Sequence, residues 1–147
     1  MNKKALLIGM GLILVLCIAF IQASQRSADA NETRVIRIYA TSSGTSVGKL
    51  RIEPTLISVA PGTVIIWNNW ARSSEVKVVF KDGKVCKDVT KAPIGFTLDE
   101  QDCFVTTWIP LGGTSSLMFT QKGVYRYIVK SSKTAGGVKA EGEIRVR

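Results

Sequence analysis

From Arg34 onward, apolar and polar residues alternate in short runs with a period of two, and helical periodicity is almost absent. Arg34–Ala40 alternates cleanly. Thr41–Gly48 is rich in Ser, Thr and Gly and predicts a loop. Leu50–Ile52 and Thr55–Val59 flank Pro54, which suits an edge strand or a switch between sheets. Pro61-Gly62 predicts a turn, and Thr63–Trp70 a strongly apolar strand with Val64-Ile65-Ile66-Trp67 at its heart. Val76, Val78 and Phe80 then face one way, with Glu75 and Lys77 on the other face. Lys81–Lys84 carries the Asp-Gly signature of a hairpin. Further strands are expected at Phe104–Ile109, Thr114–Thr120, Val124–Lys130 and Ala140–Val146, with a loop at Ser131–Gly137. About eight short strands with regular turn signals predict an all-β sandwich. Trp67 and Trp108 fall inside apolar strands and are expected in the core. Trp70, at a strand end, is a candidate surface anchor.

The start of the chain follows a different pattern. Lys3 and Lys4 precede an uncharged apolar run from Ala5 to Ile21, which ends at Gln22-Ala23-Ser24. A basic start, an apolar middle and a small residue at the cut describe a secretory signal peptide over residues 1–23. Ala28-Asp29-Ala30 offers a second cut site. An uncleaved membrane anchor over residues 5–21 is the alternative. Lipidation of Cys17 is disfavoured by the bulky Leu16 before it. Residues 24–33 read as a polar leader and residues 34–147 as one domain, exported to the periplasm or the cell surface.

Composition narrows the chemistry. There is no histidine among the 147 residues. This excludes a Ser-His-Asp triad, a Cys-His pair, an HExxH zinc site and ordinary haem ligation. Losing Lys3 and Lys4 with the signal takes the net charge from +9 to +7. A basic exported domain points to a protein or an anionic envelope component as partner, not to nucleic acid. Membrane contact would come only through an uncleaved N-terminal segment. Lysines crowd two stretches, Lys77–Lys91 and Lys122–Lys133. Arg126 and Lys130 share strand parity and so should share a face. Cleavage also leaves two cysteines, Cys86 and Cys103. In an oxidising compartment they are expected to form a disulfide, worth roughly 3 kcal/mol by loop closure. Asp99, Glu100 and Asp102 lie between them without the spacing of a calcium loop.

Two stretches resemble the cupredoxin family of plastocyanin-like blue-copper domains. Ile52-Glu53-Pro54-Thr55-Leu56-Ile57-Ser58-Val59-Ala60-Pro61-Gly62-Thr63-Val64-Ile65-Ile66-Trp67-Asn68-Asn69 is similar to the family's x-P-x-x-I-x-V-x-x-G-x-x-V-x-W-x-N segment. Gly123-Val124-Tyr125-Arg126-Tyr127, followed by Gly142-Glu143-Ile144-Arg145-Val146, is similar to its G-x-Y-x-Y and G-x-I-x-V ending. The resemblance implies a cupredoxin-like Greek-key sandwich. It also locates the family's copper ligands. The first histidine falls at Ser74 (or Glu75), the cysteine at Val129, the second histidine at Ser132 and the methionine near Ala140. None of these residues supplies an imidazole or a soft sulfur donor. The expectation is therefore a non-catalytic binding or structural module with no copper and no other cofactor. A copper electron-transfer protein and an enzyme working through carboxylates alone are the alternatives. Trp70, Glu75, Arg126 and Lys130 are the candidate partner-binding residues.

Overall fold

In the computed structural model, the described residues are 32–43, 46–72, 74–133 and 138–147, without the side chains of residues 42–48. The expected signal peptide and nearly all of the leader lie outside them. The strands are β1 (Thr33–Ser43), β2 (Ser46–Glu53), β3 (Leu56–Val59), β4 (Val64–Asn69) and β5 (Val76–Phe80). A short helix α1 (Gly83–Asp88) follows. The chain continues with β6 (Thr90–Ile94), β7 (Phe96–Leu98), β8 (Phe104–Thr106), β9 (Thr114–Phe119), β10 (Gly123–Ser131) and β11 (Lys139–Val146). No helix of the described residues is long and apolar enough to cross a membrane.

The strands form a sandwich of two mixed sheets. One runs β2-β1-β4-β9-β6 and the other β3-β11-β10-β5-β8-β7. The Greek-key β-sandwich is thus present, with eleven described strands where about eight were expected. Two pairings are parallel. β1 lies alongside β4 from Thr33↔Val64 to Ile38↔Asn69, and β11 alongside β3 from Glu143↔Leu56 to Val146↔Val59. The Pro61-Gly62 turn joins β3 to β4, so both pairings begin or end there.

Alternation explains the core. In β10, Tyr125, Tyr127, Val129 and Ser131 turn inward, while Val124, Arg126 and Lys130 are exposed. Trp67 is fully buried between the sheets. Its ring meets Phe80, Phe96 and Tyr127 edge-on, with centroids 5.8, 5.4 and 5.5 Å away. That geometry sets positive ring edges against negative faces and adds to the gain from burial. Tyr127 crosses over Gly142, its partner in β11, and a Cβ on Gly142 would overlap the Tyr127 ring. The Tyr125 hydroxyl donates to Gln121 O at 3.0 Å, pinning the turn into β10.

Several local expectations are corrected. The expected loop Thr41–Gly48 is largely strand. β1 runs through Ser43 and pairs with β2 from Ser46, because Thr and Ser tolerate a pleated surface given a partner. The expected hairpin at Asp82-Gly83 is the start of α1. Gly83 serves close approach there, since a Cβ would collide with the Cys103–Phe104 backbone. Trp108 is not a core residue. It is 40% exposed, because β8 ends at Thr106 and the inward position passes to Ile109, which bridges Val76.

Candidate functional site

Ser74, Val129, Ser132 and Ala140, the positions expected from the resemblance, lie around one end of the six-stranded sheet. Val129 pairs with Ala140 of β11 on one side and with Val78 of β5 on the other. Ser131 pairs with Val76, and the Ser132 amide donates to Glu75 O at 3.0 Å. Ser74 lies two residues before β5 and is almost buried. Asn69 holds this end together from inside. Its Nδ2 donates to Ser74 O at 3.1 Å and to Ile109 O at 2.8 Å, while its Oδ1 accepts the Ala71 amide at 2.8 Å. The loops between β4 and β5 and between β8 and β9 are thus tied to one buried side chain.

The donor set there does not fit blue copper. Val129 is wholly buried among hydrocarbon side chains, and Ala140 packs against the same core. Ser74 Oγ is buried without a hydrogen-bond partner, and the Ser132 side chain is exposed. A trigonal site needs two imidazoles and a thiolate, and these positions offer hydroxyl, methyl and isopropyl groups. Glu75, at the alternative first-histidine position, is exposed. Among the described residues, no three His, Cys, Asp or Glu side chains cluster to hold a metal ion.

The acidic segment is occupied with its own turn. Asp99 Oδ1 accepts the amides of Gln101 (3.0 Å) and Cys103 (2.8 Å), and Asp102 pairs with Lys84 at 2.9 Å. The expected disulfide is not present in the structure: Cys86 and Cys103 are both free thiols. Their environments differ. Cys86 lies in the core with Tyr125, where burial first and the nearby Asp82 second push its thiol up to about 12. Cys103 is only half-buried, and its Sγ lies 3.9 Å from Gln101 O.

Beside the ligand end, the surface is apolar and concave. Trp70 is 53% and Leu111 55% exposed. With Asn68, Arg72 and Gly112 they line a groove of about 520 Å³. Asn68 Oδ1 is buried in the groove region and has no partner among the described residues. The sequence pattern picked out Trp70 but missed Leu111. The signal was there: a leucine between Pro110 and Gly112 cannot continue a strand inward, so it projects from a turn.

Arg126 and Lys130 occupy the outer face of the six-stranded sheet, away from Trp70. Arg126 Nε donates to Glu143 Oε2 at 3.0 Å, and Arg145 Nε to Glu143 Oε1 at 2.6 Å. These bonds, Arg145 first and Arg126 second, hold the Glu143 carboxyl below its usual range. A second groove of about 550 Å³ crosses this face, bordered by Leu56, Lys81, Asp82 and the Glu143 cluster. The lysine-rich stretches partly join here. Lys77 adjoins Lys130, whereas Lys84 and Lys87 sit on α1 and Lys91 on the other sheet.

No protein-family model matches the chain, and no curated protein matches its sequence. Solved structures of amicyanin are similar. The structure from Paracoccus versutus (Thiobacillus versutus) is 17% identical over 82% of this chain and 83% of its own, with a TM-score of 0.47. A reduced tryptophan-to-tyrosine amicyanin mutant is 17% identical over 82% and 85%, with a TM-score of 0.49. A Cu(I) methionine-to-alanine mutant is 18% identical over the same shares, with a TM-score of 0.48.

Proposed function

We propose that this chain is an exported, non-catalytic binding module on a cupredoxin-like sandwich, and that it carries no blue copper. One observation carries the reading. The positions that the resemblance assigns to the family's ligands hold Ser74, Val129, Ser132 and Ala140, and Val129 is sealed in the core. That end of the sheet keeps its scaffold, through Asn69, and loses its donors. The groove with Trp70 and Leu111 beside it supplies the contact surface. Two large apolar side chains exposed together on loops, over a rigid base, suit recognition of a partner. The N-terminal pattern supports export.

Two measurements test the reading. Purified protein titrated with copper is expected to show no intense thiolate charge-transfer band and no stoichiometric metal. Copper bound one-to-one with such a band overturns the copper-free assignment. Photo-crosslinking from position 111 in intact cells is expected to trap a specific partner. Trp70→Ala should abolish the product, while Lys87→Ala, at the other end of the sandwich, should leave it. Equal crosslinking by both variants removes the groove from the contact surface.

A further inference from the structure

Three lysines on neighbouring strands of the six-stranded sheet stand directly opposite one another. Lys139 of β11 pairs with Lys130 of β10, and Lys130 with Lys77 of β5. All three take the outward parity, since Val76, Val78, Val129 and Ser131 are buried. Strand spacing puts about 10 Å between the outer two backbones. Like charges in register destabilise a sheet, so the row is a cost to the domain standing alone. Little inside the domain offsets it. Lys139 Nζ comes within 3.9 Å of Glu141, with both side chains mostly in water. Lys77 Nζ lies 4.8 Å over the Trp108 ring. Among the described residues, Lys130 has no carboxylate in ion-pairing range.

The occupant that suits this row is anionic and narrow. Glu141 flanks the row on β11, and Glu143 and Asp82 lie farther along the same face. Glu143 is already bridged by Arg126 and Arg145, so the face stays basic, and it is the narrow cross-strand spacing of the three lysines that suits a single chain over a bilayer. A chain bearing repeated carboxylates can follow the row. Trp108 stands beside Lys77 with part of its ring open to solvent, a flat apolar surface on which the C–H face of a sugar can rest. We propose that this face binds a linear acidic polysaccharide of the uronate type. Lys77, Lys130 and Lys139 hold its carboxylates, and Trp108 stacks on a sugar ring. The surface is separate from the Trp70 groove and does not depend on it.

Binding of the purified protein to polygalacturonate tests this, with dextran, polyglutamate and phosphatidylglycerol vesicles as comparisons. Polygalacturonate is expected to bind, dextran not, and binding should weaken several-fold as salt rises from about 50 to about 200 mM. Lys130→Glu should weaken binding about tenfold or more. The same substitution should raise the melting temperature by about 2–5 °C, because Lys77 and Lys139 each gain an opposite charge. Lys130→Gln should weaken binding less, and Trp70→Ala not at all. Absence of binding at low salt, unchanged binding by Lys130→Glu, or equal or tighter binding to polyglutamate or vesicles overturns the proposal.

Discussion

Gly142 and Tyr127 show how much one missing methyl group decides. The tyrosine ring crosses the inner face of β11 only because its partner there has no side chain. Gly142→Ala is expected to destabilise the domain by about 3 kcal/mol, read from the denaturant midpoint. Asn69 is the polar counterpart, with three buried hydrogen bonds holding two loops. Asn69→Ala leaves the Ser74 carbonyl and the Ala71 amide without partners, while Ile109 O keeps the Val76 amide, and should cost about 2–3 kcal/mol by the same measurement. Cys86 gives a pH signature. Its thiol is raised from 9.0 to about 12 by burial, so the folded state favours the protonated form. The resulting stability is fully present below pH 9 and is lost as pH rises from 9 to 12. Burial likewise raises Tyr127, which adds to the alkaline loss. Cys86→Ala should flatten that decline. In native protein near pH 8, a thiol reagent should modify Cys103 well before Cys86.

At the scale of elements, the residues that were legible were those whose burial follows strict alternation. Trp67, Val76, Val78, Phe80 and Tyr127 all face inward as the two-residue rhythm requires. The rhythm failed where a segment's state depends on a distant neighbour. Lys81–Lys84 has the local chemistry of a hairpin, but Gly83 fits against the Cys103–Phe104 backbone and α1 forms instead. α1 has no side-chain cap at its start, so that contact and the burial of Cys86 are what hold it. Gly83→Ala should therefore abolish α1 and destabilise β8, seen as early amide exchange through Phe104–Thr106. β6 was missed for another reason. It contains Pro93 and a left-handed Ala92, features that read as loop and that an edge strand tolerates.

At the scale of the molecule, the sandwich itself was legible, from short alternating strands and regular turn signals. Of the four positions that the resemblance assigns to copper ligands, Val129 and Ala140 are cross-strand partners, and the Ser132 amide donates to the carbonyl of Glu75, next to Ser74. The partner surface was less legible. Trp70 was visible as an aromatic at a strand end, but its groove needs Leu111, forty-one positions later. The lysine row was hidden too, because register between β5, β10 and β11 cannot be counted from spacing alone.

The two parallel pairings have a practical consequence for presenting the domain. Thr33 lies beside Val64 and Val146 beside Val59, so the chain enters and leaves at the same pole, the one with the Pro61-Gly62 turn. Trp70 caps the far end of β4, about 20 Å of strand away. A tether fused before Thr33 or after Arg147 therefore grips the sandwich by its base, and an immobilised domain would hold its groove outward.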